Sequence, residues 1–169
     1  MAYLFVIIGV LARLIPHPVN FAPILAMALF GGTYLNKKTA LWVPLLALII
    51  SDFFLGTYSP VLMLFVYAST LASGLLGLWL RNHKNLGNIV GTSLLSAVIF
   101  YLLSNFGVWM MPSGYIHNWA GLVECYVLAL PFFKNTVASN LIYTAVFFGA
   151  YELAQSFLRK RKFATTVKL

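Results

Sequence analysis

Ile89-Val-Gly-Thr-Ser-Leu-Leu-Ser-Ala-Val-Ile-Phe-Tyr-Leu-Leu-Ser-Asn-Phe-Gly-Val-Trp-Met-Met111 carries no charged side chain from end to end. It is longer than the roughly 20 apolar residues that cross a bilayer core. Thr136 to Leu158 is likewise long enough to cross. Working outward, Met1 to Leu14, Phe21 to Leu35, Thr39 to Gly56 and Val61 to Leu80 are further apolar segments. Between them lie Pro16-His17-Pro18, Asn36-Lys37-Lys38, Thr57 to Pro60, Arg81 to Gly87 and Pro112 to Gly114. Each break contains turn formers or charge. The first segment is short, but no basic n-region precedes it and no small-residue cleavage site follows, so it reads as a membrane helix and not a signal peptide.

The whole composition agrees. Of 169 residues, 62% are hydrophobic and only 8% charged, where soluble domains carry about 25% charged residues. Mean hydropathy is +0.91. A water-exposed globule is excluded, and the sequence predicts an all-α polytopic membrane protein. The net charge of +8 has to be read by position, because basic residues in such proteins report orientation. No nucleic-acid motif accompanies them. Cys125 stands alone, which excludes an internal disulfide, and no Cys/His pair has zinc spacing.

His117 to Phe133 is the ambiguous stretch, apolar on average but interrupted by Asn118, Trp119, Glu124 and Tyr126 and closed by Pro131. Charge decides it. With six spans and a cytoplasmic N-terminus, the inside receives Lys37, Lys38, Arg81, Lys84, Arg159, Lys160, Arg161, Lys162 and Lys168, and the outside only Arg13 and Lys134. That asymmetry follows the positive-inside rule. A seventh span would send Arg159 to Lys162 outward. The expectation is therefore a six-helix transmembrane domain over residues 1–158, an external cap helix within 112–134, and a basic cytoplasmic tail over 159–169.

This topology puts the rare polar residues at one depth. Arg13 ends the first helix, His17 and Asn20 follow in the first outer loop, and Asp52 lies about a turn below the outer end of the third helix. Asn105 and Trp109 occupy the outer part of the fifth, Trp119 and Glu124 the cap, and Asn135 and Asn140 the start of the sixth. Polar groups in hydrocarbon cost several kcal/mol unless paired or lining a cavity, so the cluster points to a shared pocket open to the outside. Plainer readings stand beside it. Asp52 and Arg13 can form a structural ion pair, and Arg13 and Lys134 can snorkel. Glu124 can be ordinary surface. Trp109, Trp119, Tyr115 and Tyr58, like Trp42 and Trp79 at the opposite boundary, can be an aromatic belt. His17 suits a loop, and Cys125 a small apolar filler.

Small residues form stripes: Ala22 and Ala26 in the second segment, Ser69, Ser73 and Gly77 in the fourth. Such spacing lets helices approach closely. Facing inward it packs the bundle, and facing lipid it docks a partner. No nucleophile elbow, HExxH or Walker lysine is present, so the chain is not expected to be an enzyme or to hydrolyse ATP itself.

The stretch Arg13-Leu-Ile-Pro-His-Pro-Val-Asn-Phe-Ala-Pro-Ile-Leu-Ala-Met-Ala-Leu-Phe-Gly-Gly32, with Pro44 and Ile50-Ser-Asp-Phe-Phe-Leu-Gly56, resembles the substrate-binding S components of energy-coupling factor (ECF) vitamin transporters, and a bacterial membrane family related to them. Ser104-Asn-Phe-Gly-Val-Trp109 and Cys125-Tyr-Val-Leu-Ala-Leu-Pro-Phe-Phe-Lys-Asn135 are similar to that family's second half. The resemblance implies a six-helix S-component-like bundle in the bacterial cytoplasmic membrane that captures a vitamin or related micronutrient from outside. It also implies partners, a transmembrane T component with cytoplasmic ATPases, besides the surrounding lipid bilayer.

Together the two readings nominate Arg13, Asn20, Asp52, Asn105, Trp109, Trp119 and Glu124 as substrate-binding residues, and Ala22, Ala26, Ser69, Ser73 and Gly77 as a docking surface. The tryptophans would stack on a flat ring. Asp52 and Glu124 would accept hydrogen bonds, and Arg13 would hold a carboxylate or phosphate, or orient Asp52. Both charge signs are present, so ligand charge stays open. No resident metal or cofactor is expected; a corrinoid held by His17, His117 or Cys125 is a remote variant. The rival readings are a membrane scaffold with a structural polar cluster and an intramembrane enzyme using Asp52 or Glu124.

Overall fold

A computed structural model describes residues 2–166, with side chains to Lys160. Of the expected basic tail, 159–169, residues 159–166 continue the last helix and 167–169 lie outside the described residues. Six helices follow one another: α1 (Ala2–Leu14), α2 (Ile24–Tyr34), α3 (Trp42–Leu55), α4 (Pro60–Leu80), α5 (Leu86–Trp109) and α6 (Trp119–Thr166). Their ends follow local chemistry. Gly56, at φ 102°, adopts the left-handed backbone that terminates α3. Pro60 begins α4, where its missing N–H costs nothing. The Asn85 side chain caps α5 by accepting the Asn88 N–H at 2.8 Å.

Among the described residues, only α4, α5 and the Trp119–Lys160 part of α6 are long and apolar enough to cross a membrane. At 1.5 Å per residue, α1, α2 and α3 reach only about 17–21 Å, short of a hydrocarbon core of about 30 Å. The expected all-helical architecture is present, with three helices of crossing length and three short apolar ones packed beside them.

Neighbouring helices run in opposite directions. Tyr3 at the start of α1 hydrogen-bonds Thr39 in the α2–α3 turn at 2.9 Å. At that same end, the Tyr34 hydroxyl donates to Glu152 Oε1 at 2.6 Å, and Lys84 pairs with that carboxylate. Arg81 donates to the Gly32 and Leu35 carbonyls at 2.7 and 2.5 Å, satisfying the C-terminus of α2.

α2 is the central helix. It is apolar all round, as a fully sheathed helix must be, and Leu25 to Thr33 are buried without exception. Phe30 sits in an aromatic core with Phe5, Tyr34, Phe147, Phe148 and Tyr151, its ring centroid 4.9–6.0 Å from theirs. On its other face α2 meets α4 backbone to backbone. A Cβ on Gly32 would lie 2.2 Å from the Gly74 carbonyl oxygen, and one on Gly77 2.2 Å from that of Leu29. The Thr33 hydroxyl reaches Gly77 O at 3.2 Å and Ser73 reaches Leu25 O at 2.8 Å.

This seam corrects the docking expectation. Ala26, Ser69, Ser73 and Gly77 are buried, the last three on the α4 face that carries these seam contacts. Ala22 is half-buried at the edge of the cavity described below. The buried members of the stripe pack inside the bundle and are not an exposed face.

A second correction concerns the cap. The segment expected as a separate external helix is the first part of α6, a single helix of 48 residues. The helix continues through Pro131, despite the N–H lost from its ladder there. Trp119 to Phe133 runs antiparallel to the far half of α5: Tyr101 donates to Tyr126 O and Tyr126 to Leu102 O, both at 2.6 Å. The Cys125 thiol approaches Asn105 O at 3.4 Å. Lys134 and Pro131, which looked like a break, lie on exposed positions of one continuous rod.

Candidate functional site

Where the short helices stop and the long ones continue, a cavity of about 300 Å³ is left at the end of the bundle opposite the Tyr34–Lys84–Glu152 cluster. Arg13, His17, Asn20 and Ala22 form one wall, and Leu55, Tyr58, Leu62 and Val66 another. Phe100 of α5 with Thr136 and Ser139 of α6 closes the third side, and Ile24 and Leu25 the floor.

The 15–23 loop is held in place from α6. Asn135 Nδ2 donates to Val19 O at 3.0 Å, and the Ser139 hydroxyl reaches Asn20 O at 3.4 Å. Within the loop the Phe21 N–H returns to Pro18 O at 2.9 Å. Asn20 is the one non-glycine residue with positive φ, 60°, among the described residues. Asn tolerates that conformation better than most residues, which suits a tight return from α1 into Pro23.

Arg13 is the charged group of the cavity, and its orientation is built. Nη2 meets Asp52 Oδ1 at 2.5 Å, while Nη1 donates to Leu48 O at 3.2 Å and to the Ser51 hydroxyl. Asp52 is 2% exposed. Its other oxygen accepts the Tyr67 hydroxyl at 2.9 Å and the Tyr58 hydroxyl at 3.4 Å. A lone charge at this depth would be untenable, and the pairing with satisfied lone pairs is what permits it. Burial, and then the neighbouring Asp52 carboxylate, push the Tyr58 phenol above its ordinary value, so it stays protonated and donates. Asp52 is thus the positioning residue behind Arg13.

The nominated residues divide. Arg13 and Asn20 line the cavity, and Asp52 stands one hydrogen bond behind Arg13. Asn105, Trp109, Trp119 and Glu124 are not part of its wall. The Asn105 side chain donates to Tyr101 O at 2.7 Å, within its own helix. Trp109 Nε1 donates to Ile116 O at 3.1 Å, closing the α5–α6 turn. Trp119 is 78% exposed, and Glu124 is exposed.

Tyr58, Tyr67, Phe100, Thr136 and Ser139 were not nominated. A polar tier continues inward from the last two: Asn140 Nδ2 donates to Ser93 O at 2.6 Å, Ser93 meets Thr144 at 3.3 Å, and Ser73 meets Ser96 at 3.0 Å. His117 bonds Met111 O and His17 bonds Pro18 O, while Cys125 is buried against α5. Among the described residues no group of three or more His, Cys, Asp or Glu side chains could hold a metal ion.

Fold and site together define a small all-helical protein with helices of membrane-crossing length and an end cavity of ligand size. The chain belongs to the family described as a family of unknown function (DUF6580), whose model matches residues 1–164. No curated protein and no solved structure matches it.

Proposed function

We propose that this protein is a membrane-embedded substrate-binding subunit for uptake of a small micronutrient. It lies in the bacterial cytoplasmic membrane with all six helices embedded and both termini cytoplasmic. The cavity faces outward to capture the molecule, which is then released inward. The observation that carries this reading is the 300 Å³ cavity with Arg13 oriented into its wall by Asp52. Small-molecule sites are concave, mostly apolar and furnished with a few placed polar groups, at about 300–1,000 Å³. This cavity is at the lower end, which suits a vitamin-sized ring and disfavours a corrinoid. The orientation is supported by Lys37, Lys38, Arg81, Lys84, Arg159 and Lys160, which belong to the end opposite the cavity. With no Walker motif in the chain, uphill uptake needs a partner, such as an ECF T component with its ATPases, or an ion gradient.

Native mass spectrometry of the detergent-purified protein tests the reading, combined with thermal shifts across a vitamin panel. A co-purified small molecule, or a shift with one panel member, is expected. Repeated purification without any bound molecule and a flat panel would overturn it. One observation favours a second reading, a structural subunit with no ligand: both Asp52 oxygens already accept hydrogen bonds within the fold. That reading predicts the flat result.

A further inference from the structure

We infer that the molecule held in this cavity is an anion, a small and mainly apolar carboxylic acid whose carboxylate meets Arg13. The inference rests on the binding reading above and goes beyond it by assigning the ligand's charge and shape. Among the cavity's lining residues there is no Asp or Glu. Asp52, the nearest carboxylate to Arg13, is sealed behind it with both oxygens engaged by Arg13, Tyr67 and Tyr58. A cationic ligand would find no counter-charge there and would meet a guanidinium instead.

Arg13 keeps capacity for an acceptor. A guanidinium has five N–H donors in a fixed fork. Leu48 O, Ser51 and Asp52 take three, leaving Nε–H and one Nη2–H without a partner inside the fold. Donors left open on a guanidinium make short, charge-assisted hydrogen bonds to a carboxylate. The Asp52 bond prevents the fork from rotating away, so little entropy is lost when the ligand arrives.

The rest of the cavity suits the rest of such a molecule. Phe100 and Tyr58 offer aromatic faces, and Leu55, Leu62 and Val66 an aliphatic wall. Thr136 and Ser139 line the side opposite Arg13's wall; their hydroxyls donate to Phe132 O and to Thr136 O and Asn20 O, so their oxygens are left to accept from a donor group on the ligand.

The test uses three probes with one body and different heads: hydrocinnamate, phenylpropylamine and phenylpropanol. They are titrated into the full-length protein in detergent near neutral pH, with binding followed calorimetrically. The carboxylate is expected to bind at least about tenfold more tightly than the amine or the alcohol, one factor of ten being about 1.4 kcal/mol. In the neutralised pair Arg13→Gln/Asp52→Asn that preference is expected to vanish. Equal or tighter binding of the amine or alcohol to the wild-type protein overturns the anion assignment and leaves the binding reading standing. Binding of none of the three overturns both.

Discussion

Replacing Asp52 by Asn changes no shape and removes one charge, which isolates what the ion pair does for the fold. Arg13 and Asp52 touch at 2.5 Å with side chains 10% and 2% exposed. Two unit charges 4 Å apart attract by about 4 kcal/mol at an effective dielectric of about 20. The amide also has one acceptor oxygen, whereas three donors converge on Asp52: Arg13 Nη2, Tyr67 and Tyr58. At least one of them must face the new NH2 group. Breaking a buried pair by removing one partner typically costs about 3–5 kcal/mol, because the other charge is left uncompensated. That is the loss expected for Asp52→Asn, read from denaturant unfolding in mild detergent by tryptophan fluorescence. Arg13→Gln/Asp52→Asn should be at least about 1.5 kcal/mol more stable than the Asp52→Asn single variant, since no charge is then stranded. A single-variant loss below about 1 kcal/mol, or a double variant equal to the sum of the singles, would refute the reasoning.

Other expectations follow from neighbouring geometry. Gly32→Ala drives a methyl into the backbone of α4, which no rotamer change relieves, and should cost about 3 kcal/mol, toward the upper end for overpacking. Gly91→Ala has nothing within 4 Å and should be neutral or stabilising by up to about 1 kcal/mol from helix propensity; the two are compared in one unfolding series. Trp119→Ala and Glu124→Gln are expected to leave small-molecule binding unchanged in the calorimetric assay, and a tenfold loss from either would return the cap region to the site.

The long uncharged run of α5 declared itself, because nothing but a membrane-length helix accommodates it. The Arg13–Asp52 pair was also legible, since scarce opposite charges in apolar helices seek each other. What misled was local punctuation. Pro131 looked like a helix boundary, yet packing of Cys125, Tyr126 and Phe133 on α5 carries the helix through. That continuity decides the site. Glu124 lies twelve residues before Thr136, about 18 Å farther along the axis, and Trp119 farther still. Shared depth in a topology diagram therefore did not become shared space. Thr136, Ser139 and Asn140 were readable as a polar face at helical spacing. Tyr67 was not, because its role depends on how α3 and α4 are placed against each other.

The central claim is that a small molecule occupies the hollow between the α1–α2 loop and the long helices. Ala22→Trp tests it most directly, because residue 22 is half-buried in a non-helical segment at the edge of that hollow. The measurement is native mass spectrometry of the wild-type and Ala22→Trp proteins, matched in melting temperature. The account predicts a bound small molecule on the wild-type protein and its loss from the variant; equal retention by both would contradict it.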